Sequence, residues 1–206
     1  MTQKILVATH NQGKVAEYAD MLSDLDINWL SLDDLGMFQE VEETGSTFLA
    51  NAHLKAAGYA RMTGLLTLAD DSGLVVDALN GAPGVKTARY GGAGLSSKER
   101  YDYLLSQLEG VPVQERSARF VCVIALAGAD GQILATADGE VEGVIALEPA
   151  GEGGFGYDPV FYLPHKACTM AQLPSQVKHS LSHRGRALRA VEPQLKTVLA
   201  PSGSAG

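Results

Sequence analysis

The chain has 206 residues, of which 46% are hydrophobic and 19% charged, a composition that suits one globular domain with a sizeable core. A formal net charge of −8 excludes the broad basic surface that a nucleic-acid polymer demands of its partner, because such binders must displace phosphate counterions. No run is long or apolar enough for a signal-peptide core or a membrane span, so a cytoplasmic protein with no membrane partner is expected.

In chain order, Ile5 to Thr9 reads as a strand that ends in the turn His10-Asn11-Gln12-Gly13. Apolar residues at helical spacing, Val15, Tyr18, Ala19 and Leu22, predict a helix over 15–25. Residues 27–32 read as a second strand, 47–62 as an Ala-rich helix, and Leu65 to Ala69 as a third strand that stops at Asp70-Asp71. These first seventy residues have the texture of α/β layering. A helix with a Ser cap is expected over 96–108. The runs 119–127 and 133–147 flank Gly128-Ala129-Asp130-Gly131, whose Asp-Gly pair signals a hairpin. A final helix starts near Ser182, with Pro193 expected to interrupt or restart it, and the tail 201–206 is expected to be disordered. Cys122, in an expected core strand, and Cys168, in an expected loop, lack metal-ligand spacing and are read as reduced thiols.

Asp70-Asp71-Ser72-Gly73, placed where an apolar run stops, is the most informative stretch. Two adjacent buried carboxylates need a cation, a shared proton or hydrogen-bond donors to offset desolvation. Hard oxygen ligands of this kind suit Mg²⁺, whose shell is completed by water and substrate phosphate. Taken by itself, the pair is better explained by an Asx-turn with one Asp capping the backbone and the other in water. Thr9-His10-Asn11-Gln12-Gly13-Lys14 lies between a strand and a helix, where backbone N–H groups attract phosphate and Lys14 adds a point charge. The loop is not a Walker A, and a plain βα turn explains it about as well. Glu42 and Glu43 precede the second helix, where acids often only complement its dipole.

Charge is unevenly distributed. Residues 15–54 contain no Lys or Arg, and 17–43 carry nine acids, whereas 175–191 contain Lys178, His179, His183, Arg184, Arg186 and Arg189 without one acid. A local basic segment on an acidic protein suits a small anion, or is a solvated helix face. Gly153-Gly154-Phe155-Gly156-Tyr157-Asp158-Pro159 combines glycines that admit close backbone approach with aromatic faces that stack on a base or plug the core.

Taken together, these motifs resemble the inosine triphosphate pyrophosphatase family, the non-canonical purine nucleoside triphosphate pyrophosphatases. The resemblance runs through Ala8-Thr9-His10-Asn11 with Lys14, Glu42-Glu43-Thr44-Gly45 with Phe48, Asn51 and Lys55, and Ala69 to Leu74. It continues through Gly81-Ala82-Pro83-Gly84, Ala88-Arg89-Tyr90, Gly153 to Pro159, and Lys178 with Ser182-His183-Arg184-Gly185. It implies an α/β fold, a single domain over 1–200 with a long central mixed sheet and two α/β lobes enclosing an active-site cleft. It also implies a homodimer and Mg²⁺-dependent hydrolysis of ITP, dITP or XTP to the monophosphate and pyrophosphate.

By position, the resemblance gives Thr9, His10, Asn11, Gln12, Gly13 and Lys14 to the phosphates, with Lys55 as a second cation and Ser72 beside them. Glu43 and Asp71 are the implied Mg²⁺ ligands, with Glu42 an alternative to the first and Asp70 a partner of the second. Asp71 is the implied base, with Lys14 and Lys55 as catalytic cations. A carboxylate bound to Mg²⁺ loses basicity, so Asp71 either abstracts the proton or only orients the water. Phe155, Gly156, Tyr157 and Asp158, with Lys178, His183 and Arg184, are the implied base site. Donors from the last three would welcome the 6-oxo group of hypoxanthine or xanthine and reject the 6-amino group of adenine. Guanine shares the 6-oxo group, and none of these residues explains its exclusion. Two departures from the family pattern bear on substrate preference: His10 replaces a small residue, and no acid precedes Lys178 in Leu173 to Val177. A nucleotide sensor without turnover and a pyrophosphatase for other modified nucleotides are the alternative readings.

Overall fold

Ile5, Leu6 and Val7 expose no surface, which places the first strand in the interior of a sheet with both faces covered. The computed structural model describes residues 2–200, and the expectation for 201–206 lies outside the described residues. In chain order the elements are β1 (Gln3–Val7), α1 (Gln12–Met21), β2 (Ile27–Leu30), α2 (Phe48–Thr63), β3 (Leu66–Val76) and α3 (Ser97–Gln107). They continue with β4 (Ser117–Ala127), β5 (Ile133–Ile145), β6 (Phe161–Leu163), β7 (Cys168–Thr169), α4 (Ser175–Leu181) and α5 (His183–Leu199). One mixed seven-stranded sheet has the order β2-β1-β3-β4-β5-β6-β7. Its β2-β1-β3 part is parallel, and β6 runs antiparallel to both β5 and β7. Parallel neighbours need crossover connections, and α1 and α2 lie in those connections. The expected α/β class with a mixed sheet is the observed one.

The described residues divide into two compact units, one of 2–71, 123–138 and 187–200, the other of Ser72–Cys122 and Gly139–Arg186. In the first, Ala52, Ala56 and Ala60 recur at helical spacing along α2 and pack with Ala69, Val123, Ala125 and Ala127. Alanines let the helix lie close to the strands. Thr47 caps α2, its Oγ1 accepting from Ala50 N at 3.1 Å, and Gly64 ends it with a left-handed φ of 67°. A second cluster joins Leu6, Leu32 and Tyr59 with Met37 and Val41. The core of the second unit gathers Leu74, Val76, Leu104, Leu108, Phe120, Val141, Ile145, Tyr157 and Phe161. There Ser96 caps α3 as expected, and Glu99 completes a capping box with it.

The hairpin turn is also as expected: Gly131 N donates to Gly128 O at 2.8 Å and Gly128 N to Gln132 O at 2.9 Å. Several boundaries differ. The first helix starts at Gln12 instead of residue 15, because Asn11 Oδ1 accepts from Gly13 N at 2.9 Å and Lys14 N at 3.4 Å. Cys168 lies in β7 instead of a loop. The region before the last helix is itself helical. Ser182 separates the two helices, its N–H donating to Lys178 O at 2.8 Å and its Oγ accepting from Gly185 N at 3.1 Å. Pro193 neither ends nor restarts α5. The fully buried Val191 and Leu195 on either side of it anchor the helix across the lost hydrogen bond.

The largest correction concerns the acidic pair. Asp70 and Asp71 do not sit in a turn after a strand; β3 runs straight through them for eleven residues. The strand that stops is its neighbour. The β1–β3 register ends at Val7 opposite Leu68, with Ala8 N donating to Leu68 O at 2.8 Å. The acids therefore follow the point where β1 leaves the sheet, so the rule that α/β chemistry sits at carboxyl ends of strands applies here to β1.

Candidate functional site

Within the first unit, side chains from the turn after β1, α1, α2, β3 and the loop before α2 converge. A cavity of about 280 Å³ is lined by Thr9, His10, Lys14, Glu40, Glu43, Lys55 and Asp70, among others. Lys14 Nζ donates to both oxygens of Asp70, at 3.1 and 2.8 Å. Asp70 is only 3% exposed, so its charge is offset by this bidentate cation. Lys55 Nζ lies 3.2 Å from Glu43 Oε2 and 3.5 Å from Asp71 Oδ1. Burial disfavours the Lys55 ammonium, but Asp70, Asp71 and Glu43 outweigh it and raise its pKa above the usual lysine range. Burial is also the main reason that the Asp71 carboxyl titrates above the usual carboxylate range, with Glu43 and Asp70 adding to the shift and Lys55 and Asn51 opposing it. A carboxylate raised in this way is better matched to proton abstraction than an ordinary one.

The turn after β1 is more committed than its sequence implied. Asn11 Oδ1 already takes the amides of Gly13 and Lys14, so these two helix-end donors are not open to an anion as expected. Thr9 Oγ1 accepts from Asn11 N at 3.1 Å, and Gln12 Nε2 donates to Ser31 Oγ at 2.8 Å. His10 Nδ1 lies 2.6 Å from Asp33 Oδ1. What this turn offers a phosphate is chiefly side chains, Lys14 above all. Of the two candidate acids before α2, Glu43 is the one that meets Lys55. The remaining candidate here, Ser72, follows Asp71 in β3 and is half-buried.

The second unit holds the other half of the expected residues. Phe155 presents an exposed ring, with Lys178 Nζ 4.5 Å and Arg184 Cζ 5.5 Å from its centroid. Asp158 is buried, and its Oδ2 accepts from Lys178 Nζ at 2.6 Å and from Phe155 N at 2.8 Å. It is thus the clamp that holds the lysine and the loop. Gly154 makes the clamp possible: at φ 76°, a Cβ there would lie 2.1 Å from Asp158 Oδ2. Gly156 also has positive φ. Tyr157 is packed in the core, its OH donating to Thr87 O at 3.0 Å, and burial drives its phenol pKa up. His183 stacks on Phe120 with centroids 4.9 Å apart. The basic segment around it is therefore not a uniform solvated face, since Lys178 and Arg184 are largely withdrawn from water.

A model of the Ham1 family matches residues 5–194. The chain belongs to the Ham1 family. Among its relatives, the dITP/XTP pyrophosphatase of Geobacter sulfurreducens is 51% identical over 93% of this chain and 96% of that protein. The dITP/XTP pyrophosphatase of Yersinia pseudotuberculosis is 46% identical over 94% and 98%, respectively. Among solved structures, a HAM1 protein from Coxiella burnetii superposes with a TM-score of 0.86 at 45% identity, covering 96% of this chain and 98% of that one. The Staphylococcus aureus Ham1 protein also gives 0.86, at 40% identity over 95% of this chain and 100% of that one.

The structure of this Ham1 chain also gives contacts to residues that had no assigned role in the sequence, Asn51 of the resemblance motif among them. Asp33 holds His10, Glu40 and Tyr59 line the cavity, and Phe120 carries the His183 ring. Asn51 donates to Asp71. Only Asn51 had a usable signal: it stands four residues before Lys55, hence on the same face of α2.

Proposed function

We propose that this Ham1-family chain is a nucleoside-triphosphate pyrophosphatase that hydrolyses dITP, XTP and ITP to the monophosphate and pyrophosphate, clearing deaminated purines from the nucleotide pool. Close relatives named for the dITP/XTP reaction support the reading. The observation that carries it is the meeting of Glu43 and Asp71 on Lys55 beside the Lys14–Asp70 pair. Carboxylates for water and metal stand there next to cations for a leaving group, which is the principal requirement of phosphoryl transfer.

In this proposal the first unit handles the phosphates. Asp71 orients the attacking water and takes its proton as the water oxygen bonds to the α-phosphorus and the bond to the bridging oxygen breaks. Lys14 and Lys55 neutralise the negative charge that collects on the departing pyrophosphate. Glu43 and Asp71 would hold Mg²⁺. A carboxylate pair suits an ion that keeps most of its shell as water and phosphate. When bound, that ion supplies Lewis-acid polarisation and a lower pKa for the nucleophilic water.

The second unit is assigned to the base. The Phe155 ring stacks on it, and Lys178, His183 and Arg184 supply donors that match a 6-oxo purine. Asp158 holds Lys178 in that role. We further propose a cytoplasmic homodimer with no polymer or membrane partner. The homodimer is carried by the family resemblance, and sedimentation velocity reads it. The net charge of −8 supports the exclusion of nucleic acid, and no helix among the described residues is long and apolar enough to cross a membrane.

The experiment is pyrophosphate release from ITP, dITP, XTP, GTP and ATP, with Mg²⁺ and with chelator, resolving pyrophosphate from orthophosphate. Fast Mg²⁺-dependent release from the first three, with ATP and GTP nearly inert, is expected. Orthophosphate as the first product, or inertness toward all five, would overturn the reading.

A further inference from the structure

Asn51 is 2% exposed and both ends of its amide are used. Its Oδ1 accepts from Gly45 N at 2.8 Å and its Nδ2 donates to Asp71 Oδ2 at 3.2 Å. A backbone N–H only donates and a carboxylate only accepts, so the two contacts define which way the amide points. Gly45 closes the loop that carries Glu43. A Cβ at Gly45 would lie 2.6 Å from Asn51 Oδ1 and 2.7 Å from Ala50 Cβ, so this approach is open only to glycine. On the same loop, Val41 N donates to Tyr59 Oη at 3.3 Å, and a Cβ at Gly58 would lie 2.7 Å from Val41 Cγ2. Asn51, Lys55 and Tyr59 recur every four residues along α2, one face that grips the loop at three points. Asn51 alone of the three joins the loop to Asp71 by uncharged hydrogen bonds.

We propose that Asn51 is a positioning residue for the reaction: by tying Gly45 N to Asp71 Oδ2 it holds the Glu43 loop and the Asp71 carboxylate in one fixed relation, with Asp71 Oδ1 directed toward Lys55. The proposal rests on the pyrophosphatase reading for what Asp71 does, and on the geometry alone for the tether. An unheld Asp71 rotates about its terminal torsion, and either oxygen then meets Lys55. Misplacement of this order slows the chemical step and leaves phosphate binding by Lys14 intact. Asn51→Asp keeps the size and still accepts from Gly45, but sets a second carboxylate against Asp71.

The test combines Asn51→Ala, Asn51→Asp and Gly45→Ala with a cycle in the Asp71→Asn background. Expected is a loss in kcat of about 10- to 100-fold for each single variant, with KM within about threefold of the parent and an unchanged circular dichroism spectrum. Gly45→Ala touches neither Asp71 nor Lys55, so the same phenotype there reports the tether. In the Asp71→Asn background, Asn51→Ala is expected to change kcat no further, since it acts through a group already removed. Amide exchange at Gly45 should quicken at least tenfold in Asn51→Ala while the α2 amides stay protected. Parental kcat in Asn51→Ala, full additivity with Asp71→Asn, or unchanged Gly45 exchange would each overturn the proposal. A parent protein inert toward every nucleotide would remove the pyrophosphatase reading and the catalytic half of the proposal together, while Gly45 exchange would still decide the tether.

Discussion

Asp71 is the residue at which the site's electrostatics act against the fold. Its folded pKa is raised above the ordinary 3.8, chiefly by burial. The folded state therefore keeps this proton to higher pH than the unfolded chain, and stability falls as pH rises from 3.8 through the raised value. Lys55 has the opposite charge and a pKa raised above 10.5, so its contribution is present below 10.5 and is lost as pH rises through its folded value. In the metal- and nucleotide-free protein, Asp71→Asn is expected to flatten the stability profile on the acid side and to melt higher than the parent at pH 7. Melting curves from pH 4 to pH 8 in chelator test this, and a lower melting temperature for the variant at pH 7 would refute it. The same variant is expected to keep only a small residual kcat while still binding nucleotide, a division of stability from function that is common at active-site carboxylates.

At the scale of elements, α2 does two jobs with two faces. Ala52, Ala56 and Ala60 lie against the strands, all fully buried, while Asn51, Lys55 and Tyr59 face the loop and the cavity. The alanines set the helix depth and thereby the reach of Lys55 to Glu43 and Asp71. Ala56→Leu, which adds volume where the helix has none to spare, is expected to cost about 1–3 kcal/mol in stability. Because it displaces the face that carries Lys55, it should also lower kcat/KM. Chemical denaturation and steady-state kinetics on the same preparation check both, and a neutral variant would show that α2 is not held by this face. The α4–α5 junction behaves similarly, since Ser182 caps one helix from the end of the other and Lys178 and Arg184 lie on either side of it.

For the whole molecule, the excess of acid over base leaves a net charge of −8, and most of the cations at the two functional clusters are paired. Lys14, Lys55 and Lys178 each meet a carboxylate. A chain with this charge and these pairings is expected to take a small polyanion by exchanging internal partners, and not a nucleic-acid polymer. Duplex DNA is accordingly expected to show no saturable binding at physiological salt, while a non-hydrolysable dITP analogue raises the melting temperature with concentration. Fluorescence anisotropy and thermal shift measure the two, and DNA binding with a steep salt dependence would refute the expectation.

The local order of the chain was legible without coordinates. The alternation in the first seventy residues, the Ser96 cap and the Asp130-Gly131 turn follow from propensity, period and spacing, which are properties of near neighbours in sequence, whereas the grouping of Lys14, Asp71 and Lys178 as site residues came from the family resemblance of their motifs. Tertiary structure decided the rest. Whether Asp70 and Asp71 lay in a turn or inside a strand depended on where β1, sixty residues earlier in the sequence, stops pairing. Which acid before α2 meets Lys55, that Asn11 uses amides offered to a phosphate, and that Asp158 clamps Lys178 are matters of contact across long separations. Pro193 departs from its local expectation for the same reason: helix-breaking is a local penalty, and the burial of Val191 and Leu195 that overrides it is not. The residue types that chemistry requires are written in the sequence, but their pairing depends on packing, because a carboxylate's role is set by the charges and donors that the fold brings to it.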